Sequence, residues 1–298
     1  MQRGKSTVTE AAKKVVKYTF RSIGLEIRRS RGRVSRHKPS PIFEDLRRAM
    51  YFEAGGEKAA FRCPLESCVW PNGLGFGKEG WNHISAVLDR FAQGLDRGYE
   101  GSVLKKYYEV WKPSNALDAL LLQDMKGFLD NKPDYLLLLP WHSCSVGEKK
   151  RRVQRISSHE SKRFGYPELG IEHGYKLHGP VDKRKGEMEY DRSVAIYESL
   201  QRKGYDRNHG DVRIWVLKRG SEYLYVNVGG MHRVAAMSAL GYQHVPASFM
   251  CSKVIDVKDL SKWPQVAKGI WSKENAKKYI DHLFEFDSLE WANRNAIL

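Results

Sequence analysis

The spacing of apolar residues changes along the chain, and each change predicts an element. Ile84, Val87, Leu88, Phe91 and Leu95 recur at helical steps, which predicts a helix over Trp81–Leu95 with one apolar stripe. Ser102 sits where it would cap a helix over Ser102–Val110. Further helices are expected from Pro41 to Met50 and from Asn115 to Leu129, with an irregular Gly- and Pro-rich stretch from Cys63 to Gly80 between them. The longest apolar run, Tyr135–Trp141, predicts one buried strand over Tyr135–Leu139. The charged segment Glu148–Gly165 reads as an exposed basic connection or helix, and Gly174–Pro180 as an extended loop.

From residue 186 onward the pattern sharpens. A helix is expected over Gly186–Lys203, stopped by Gly204. Arg213–Leu217 alternates as a strand, Lys218–Ser221 turns, and Tyr223–Val228 is a second strand. Met231–Leu240 follows as a helix ended by Gly241, then a strand at Val245–Phe249 and a late helix over Ser272–Phe284, whose Ser272-Lys-Glu274 start offers a cap. The expected class is α+β. The segments are 1–40, amphipathic and basic; 41–165, mostly helical; 166–252, the strand–turn–helix module; and 253–298, C-terminal helices.

At the N-terminus, Ala12, Val16, Phe20, Ile23 and Ile27 fall at helical spacing, with Lys13, Lys14, Lys17, Arg21 and Arg28 largely on other faces. Residues 1–40 hold twelve Lys and Arg against two Glu, so +10 of the net charge of +16 resides there. A basic amphipathic helix suits an anionic membrane surface; packing on the protein body and contact with nucleic acid are the alternatives. No run of about 18 apolar residues predicts a membrane span, and no secretory signal is legible. The four cysteines are too few for a disulfide framework, and Cys63, Cys68 and Cys144 with His142 lack paired zinc spacing. A cytoplasmic setting, peripheral on the inner membrane, is the expectation.

The candidate chemistry sits between the strand ending at Val228 and the helix starting at Met231. Gly229 and Gly230 let the backbone turn tightly and let a ligand approach. The first amides of the helix have no internal partner and carry partial positive charge, so a phosphate fits at Gly229, Gly230, Met231, His232 and Arg233, with His232 and Arg233 as added donors. The structural alternative is a tight turn with Arg233 in an ion pair.

The run Gly229-Gly-Met-His-Arg-Val-Ala-Ala-Met-Ser-Ala-Leu-Gly-Tyr-Gln-His-Val-Pro246 resembles the ParB/sulfiredoxin superfamily: a Gly-x-His-Arg turn, a small-residue helix ending in Leu-Gly, and a strand entered through Val-Pro. The helix ending in Glu198-Ser-Leu200 and Gly204-Tyr205 is similar to the one before the central strands of ParB-like domains. The likeness covers about residues 175–252 and implies a ParB-like fold that handles nucleotide phosphates, ATP or CTP with Mg²⁺. Elsewhere, Ser102-Val-Leu104, Tyr107-Tyr108 and His178-Gly-Pro180 resemble a bacterial group accompanying surface-polysaccharide genes. Two departures matter. Sulfiredoxin-like proteins have a nucleophilic cysteine where this chain has Met231, and a thioether forms no thiolate, so sulfinic-acid reduction is not expected. Residues 253–298 are too short and aromatic for the DNA-reading region of partition proteins, so specific DNA binding is not expected.

If a nucleotide binds, phosphoryl transfer needs a carboxylate to orient the acceptor. Glu187, Glu189 and Asp191 lie early in the 186–203 helix, with Glu189 the first choice and Arg192 on its face, as its ion-pair partner or beside it in the site. The helix dipole alone also favours acidic residues there. His178 is a second catalytic candidate, as acid, base or phosphate ligand, and Lys183 a candidate for anion binding. The leading expectation is a kinase-like phosphotransferase for a small molecule or glycan precursor. A non-enzymatic nucleotide-binding regulator or assembly factor and a ParB-like DNA binder are the alternatives.

Overall fold

The computed structural model describes residues 39–251 and 253–298. The amphipathic segment over residues 12–28 lies outside the described residues. Residues 39–298 form one compact unit built on a mixed sheet. Its strands are β1 (Ile42–Phe43), β2 (Ala60–Pro64), β3 (Cys68–Val69), β4 (Val212–Arg219), β5 (Glu222–Gly229), β6 (His244–Phe249) and β7 (Ile255–Asp256). They lie in the order β1-β2-β6-β4-β5-β3, with β7 paired to β4. The segments drawn from the sequence at 165/166 and 252/253 therefore all contribute strands to the same sheet.

The helices are α1 (Leu46–Ala54), α2 (His83–Ala92), α3 (Val103–Val110), α4 (Val146–Arg163), α5 (Lys183–Lys203), α6 (Met231–Ala239), α7 (Pro264–Ala267), α8 (Lys273–Glu285) and α9 (Ser288–Arg294). The class is thus mixed α and β. β4 and β5 form an antiparallel hairpin, and α6 carries the chain across β4 to β6, which runs parallel to β4. A bulge between Arg213 and Ile214 falls where β4 passes Gly229. Such an irregularity increases the local twist and re-aims side chains. α2 and α5 both pack on α6. Ile84, Val87 and Leu88 are buried there, whereas Leu95 lies past the end of α2 and is exposed.

Local chemistry sets the helix ends as read from the sequence. Ser102 caps α3 by accepting from Lys105 N, Ser272 caps α8, and Gly204 closes α5 at φ +71°. α4 is a full helix opened by a capping box, in which Ser145 Oγ accepts from Glu148 N and Glu148 Oε2 accepts from Ser145 N. Ser145→Ala should cost about 1 kcal/mol, read as a fall of about 2 °C in Tm; an unchanged Tm would show that α4 is held by packing alone.

Four expectations are corrected. Asn115–Leu129 is not one helix but two short 3₁₀ turns, Asp118–Leu120 and Phe128–Asn131. Leu121 adopts a left-handed backbone (φ 61°), which ends the first turn. Tyr135–Leu139 is buried but is not a strand. Its backbone folds on itself, with Leu138 N donating to Leu136 O, and is satisfied by side chains, with Trp271 Nε1 donating to Leu138 O. The Cys63–Gly80 stretch includes the end of β2 and all of β3. Pro41–Met50 begins as β1, and its helix starts only at Leu46, capped by Asp45. Cys63 and Cys68 are buried thiols in β2 and β3, and burial pushes the Cys63 thiol well up. Among the described residues no helix is long and apolar enough to cross a membrane.

Candidate functional site

The strand–turn–helix unit forms as its sequence implies. β5 ends at Gly229, and Gly230 adopts a left-handed conformation (φ +85°) as the N-cap of α6. The Gly230 carbonyl accepts from Arg233 N and Val234 N at 2.9 and 3.1 Å. The side chains of the turn then part. Met231 and His232 are buried, so neither presents its side chain to a ligand at the surface of the turn, which corrects the expectation that His232 is an added donor there. Arg233 folds back over the turn. A Cβ on Gly230 would lie 2.9 Å from Arg233 Nη2, and one on Gly229 would lie 3.0 Å from Nε of Arg213. The two glycines therefore also make room for two guanidinium groups laid against the turn.

These two arginines have no carboxylate partner among the described residues. Arg233 donates to the Gly210 carbonyl and to Tyr205 Oη at 3.3 Å, and stacks on the Tyr205 ring at 5.7 Å. Nearby Asp211 is taken by Arg207, which donates to both its oxygens at 2.7 and 2.6 Å. Asn227 is fully buried beneath the turn and donates to the Gly229 carbonyl at 3.2 Å. Arg213 is cross-strand from Gly229. Sequence reasoning missed it because that pairing depends on a register and a bulge that no local pattern reveals.

Inward from the turn lies a buried polar cluster. His232 Nε2 is 3.1 Å from Glu189 Oε2, and Arg192 Nη1 donates to the same oxygen at 3.4 Å. Arg192 Nη2 also donates to Glu160 at 3.2 Å, and Lys176 Nζ bonds both Glu160 oxygens at 2.8 and 2.6 Å. Lys185, 2% exposed, donates to Ser161 Oγ at 2.8 Å. Lys185, Glu189 and Arg192 share a face of α5 at i, i+4 and i+7, a spacing visible in the sequence. Glu160 and Lys176 come from α4 and the following loop, and only the fold unites them.

The cluster fixes its own protonation. Burial alone would raise the Glu189 carboxyl, but the His232 hydrogen bond and the Arg192 charge outweigh it and hold it at about 2. Burial would likewise raise Glu160, yet the Lys176 and Arg192 charges hold it well below the usual carboxylate range. His232 is lowered to about 4 by burial and by Arg192, against the pull of Glu189. At neutral pH it is a neutral imidazole donating Nε2–H to an ionised Glu189.

His178 and His83 complete the assembly. His178 Nδ1 lies 3.1 Å from the Gly179 carbonyl and 3.7 Å from Asp134 Oδ2, and burial lowers its pKa against the charge of Asp134. The loop carrying it is pressed on α3, for a Cβ at Gly179 would run into the Tyr108 carbonyl. His83 stacks on Tyr107 at 4.3 Å. Burial and the neighbouring His232 lower it to about 3, against the Lys176 backbone, which approaches the ring without completing a hydrogen bond, and against the charge of Glu189. Among the described residues, both ring nitrogens of His83, His178 Nε2, Glu189 Oε1 and Arg192 Nε are buried without a hydrogen-bond partner. That concentration of unpaired polar atoms in one interior is unusual in a folded protein.

Lys183 is not part of the assembly. Its ammonium pairs with Glu100 at 2.6 Å and with Glu187 at 3.9 Å, at the surface. The structure thus joins Glu189, Arg192 and His232, sets His178 within the same interior, leaves Arg233 at the turn, and sends Lys183 elsewhere. Compared with protein-family models, curated proteins and solved structures, the chain matches none.

Proposed function

We propose that this protein binds nucleotide phosphates on the Gly229–Arg233 turn, as a ParB/sulfiredoxin-like module would. One observation carries the reading: two guanidinium groups without carboxylate partners among the described residues lie against Gly229 and Gly230, at the N-terminus of α6. Guanidinium forks and free helix amides are the donors that phosphate oxygens accept from. His232 contributes from inside, fixing the first turn of α6 to α5 through Glu189.

Glu189 is 1% exposed, and its Oε2 is occupied by His232 and Arg192. The geometry therefore favours nucleotide binding over transfer, with Glu189 as a positioning residue. The phosphotransferase reading, with ATP or CTP as donor and a small molecule or glycan precursor as acceptor, has a different support: Glu189 Oε1, His178 and His83 converge with unpaired atoms. Mg²⁺ fits poorly as a protein-held ion. Arg192 and Lys176 bring positive charge to Glu189, and among the described residues no three His, Cys, Asp or Glu side chains are grouped for a metal. Any Mg²⁺ would enter on the phosphates. Residues 1–40 are proposed to hold the protein to an anionic membrane surface at the cytoplasmic face.

The test is calorimetric titration of the full chain with ATP and CTP. Loss of one charge-assisted contact in Arg233→Ala should weaken binding about tenfold to a hundredfold. Equal affinity in wild type and variant would remove the phosphate from the turn. Mg-dependent nucleotide hydrolysis that stops in Glu189→Gln while affinity is kept would instead establish the phosphotransferase reading.

A further inference from the structure

A cleft of about 780 Å³ runs between α2 and α3. Ser238, near the C-terminal end of α6, lies on its wall, whereas the nucleotide turn opens α6. At 1.5 Å per residue these two places are about 10 Å apart along the helix, so the cleft is a separate site.

Its walls are mostly small or apolar, with Gly75, Gly77, Ala86 and Val103 among them. Trp81, Asn82 and Ser85 also line it, each more than nine-tenths buried. Among the described residues Trp81 Nε1, Asn82 Nδ2 and Ser85 Oγ have no hydrogen-bond partner. The orientation of Asn82 is set by its capping role, because Oδ1 accepts from Ile84 N at 3.0 Å and leaves the amide hydrogens over. The other cleft serines are satisfied: Ser102 Oγ donates to Tyr99 O at 2.7 Å and Ser238 Oγ to Phe76 O at 2.6 Å. What remains unpaired is a set of donors at one place, the first turn of α2, where the helix dipole also favours negative charge.

The charges around the cleft point the same way. Arg90 pairs with Asp96 at 3.0 Å, and Lys105 with Glu109 and Glu100 at 3.1 and 3.5 Å. Lys78, four residues before Asn82, stands exposed at that same end; its backbone N–H donates to Glu66 Oε1 at 3.0 Å, and its ammonium forms no ion pair among the described residues. Asp89 faces the cleft two turns further along α2, at the end remote from Lys78. A ligand matched to this arrangement carries an acidic group at one end and a hydroxyl or other donor toward the other.

We infer that the α2–α3 cleft binds a small hydroxylated organic anion, with its acidic group against Trp81, Asn82 and Ser85 and beneath Lys78. The shared chemistry is an anionic oxygen cluster; a phosphate ester and a carboxylate both supply it. The test uses the full chain with ¹⁵N-labelled tryptophan, the Trp81 indole resonance being assigned by Trp81→Phe. Titration with glycerol 3-phosphate and, separately, with glycerate should shift the Trp81 indole saturably with at least one of them, and the probe that saturates identifies the acid. Lys78→Glu should weaken that binding about tenfold, the worth of one charge-assisted contact. The shift should persist in Arg233→Ala, which disables only the nucleotide turn. A Trp81 indole that neither probe moves, one that moves equally well in Lys78→Glu, or one that moves only when Arg233 is intact would each overturn the assignment. Nucleotide binding at the turn stands or falls separately, on calorimetry.

Discussion

Replacing Glu189 by Ala is expected to remove about 3–5 kcal/mol of folding stability, the cost of breaking a buried charged pair from one side. The carboxylate is 1% exposed and accepts from both His232 and Arg192. Without it, Arg192 keeps only Glu160, and the His232 N–H is stranded in the interior. Glu189→Gln should cost less, because an amide oxygen can still accept from His232 while the charge facing Arg192 is lost. Urea unfolding of the two variants should therefore rank Ala below Gln below wild type. A loss of less than about 1 kcal/mol in the Ala variant, the scale of an exposed pair, would mean that α5 and α6 are joined by apolar packing and that the cluster is not a brace. Nucleotide affinity then separates two roles for this residue. If Glu189 positions the turn, the Ala variant should bind nucleotide less well even where it is fully folded, and Gln should restore binding.

How much of this was legible in the sequence follows from how local each feature is. The Gly204 and Gly230 backbones, the Ser102 and Ser272 caps, the β4–β5 hairpin and α6 are each set by neighbours within a few residues, and the sequence read them correctly. The Glu189–Arg192 pair was legible for the same reason, since one helix turn separates them. The failures are non-local. The Tyr135–Leu139 run has the composition of a strand, but its carbonyl at Leu138 is met by Trp271, a residue over a hundred positions away. β2 and β3 are short and find their partners in β6 and β5. At the site, the Gly-x-His-Arg pattern implies a surface role for His232 only because it does not say which way a first-turn side chain points. The inward turn becomes visible only when α5 is packed on α6. Arg213, His83, Glu160 and Lys176 carry no motif of their own, and their relevance comes from convergence.

The same convergence makes the fold acid-sensitive. His83 and His232 have folded pKa values near 3 and 4, against 6.5 for an exposed imidazole. Burial is the main cause for both. His83 is further lowered by His232 and His232 by Arg192 and Lys176; the Lys176 backbone and Glu189 oppose the shift of His83, and Glu189 that of His232. Between the folded and unfolded values the unfolded chain binds protons that the folded chain refuses, so stability falls as pH falls. At 1.36 kcal/mol per unit for each group, the two histidines together should remove about 5 kcal/mol between pH 7 and pH 4.5. That is comparable to the whole stability of many domains. Glu189 and Glu160, whose carboxyls are depressed, act later: their contribution is complete above the ordinary carboxylate pKa and is lost only as pH drops through the folded values. Asp89 and Asp191, raised by burial, run the other way and soften the slope in the carboxylate range. Urea midpoints should thus be level from pH 8 to pH 7 and drop steeply below pH 6.5. His83→Phe is the discriminating variant. It keeps the stack on Tyr107 and removes two unpaired nitrogens, so it should fold at least as stably as wild type at pH 7 and lose about half of what His83 and His232 together add to the acid slope, to which His142, His178 and His282, also lowered by burial, contribute in the same direction. A His83→Phe protein with the wild-type slope would place the proton uptake elsewhere, and one destabilised at pH 7 would show that the His83 nitrogens have a partner in solution, either water or the ligand of this site.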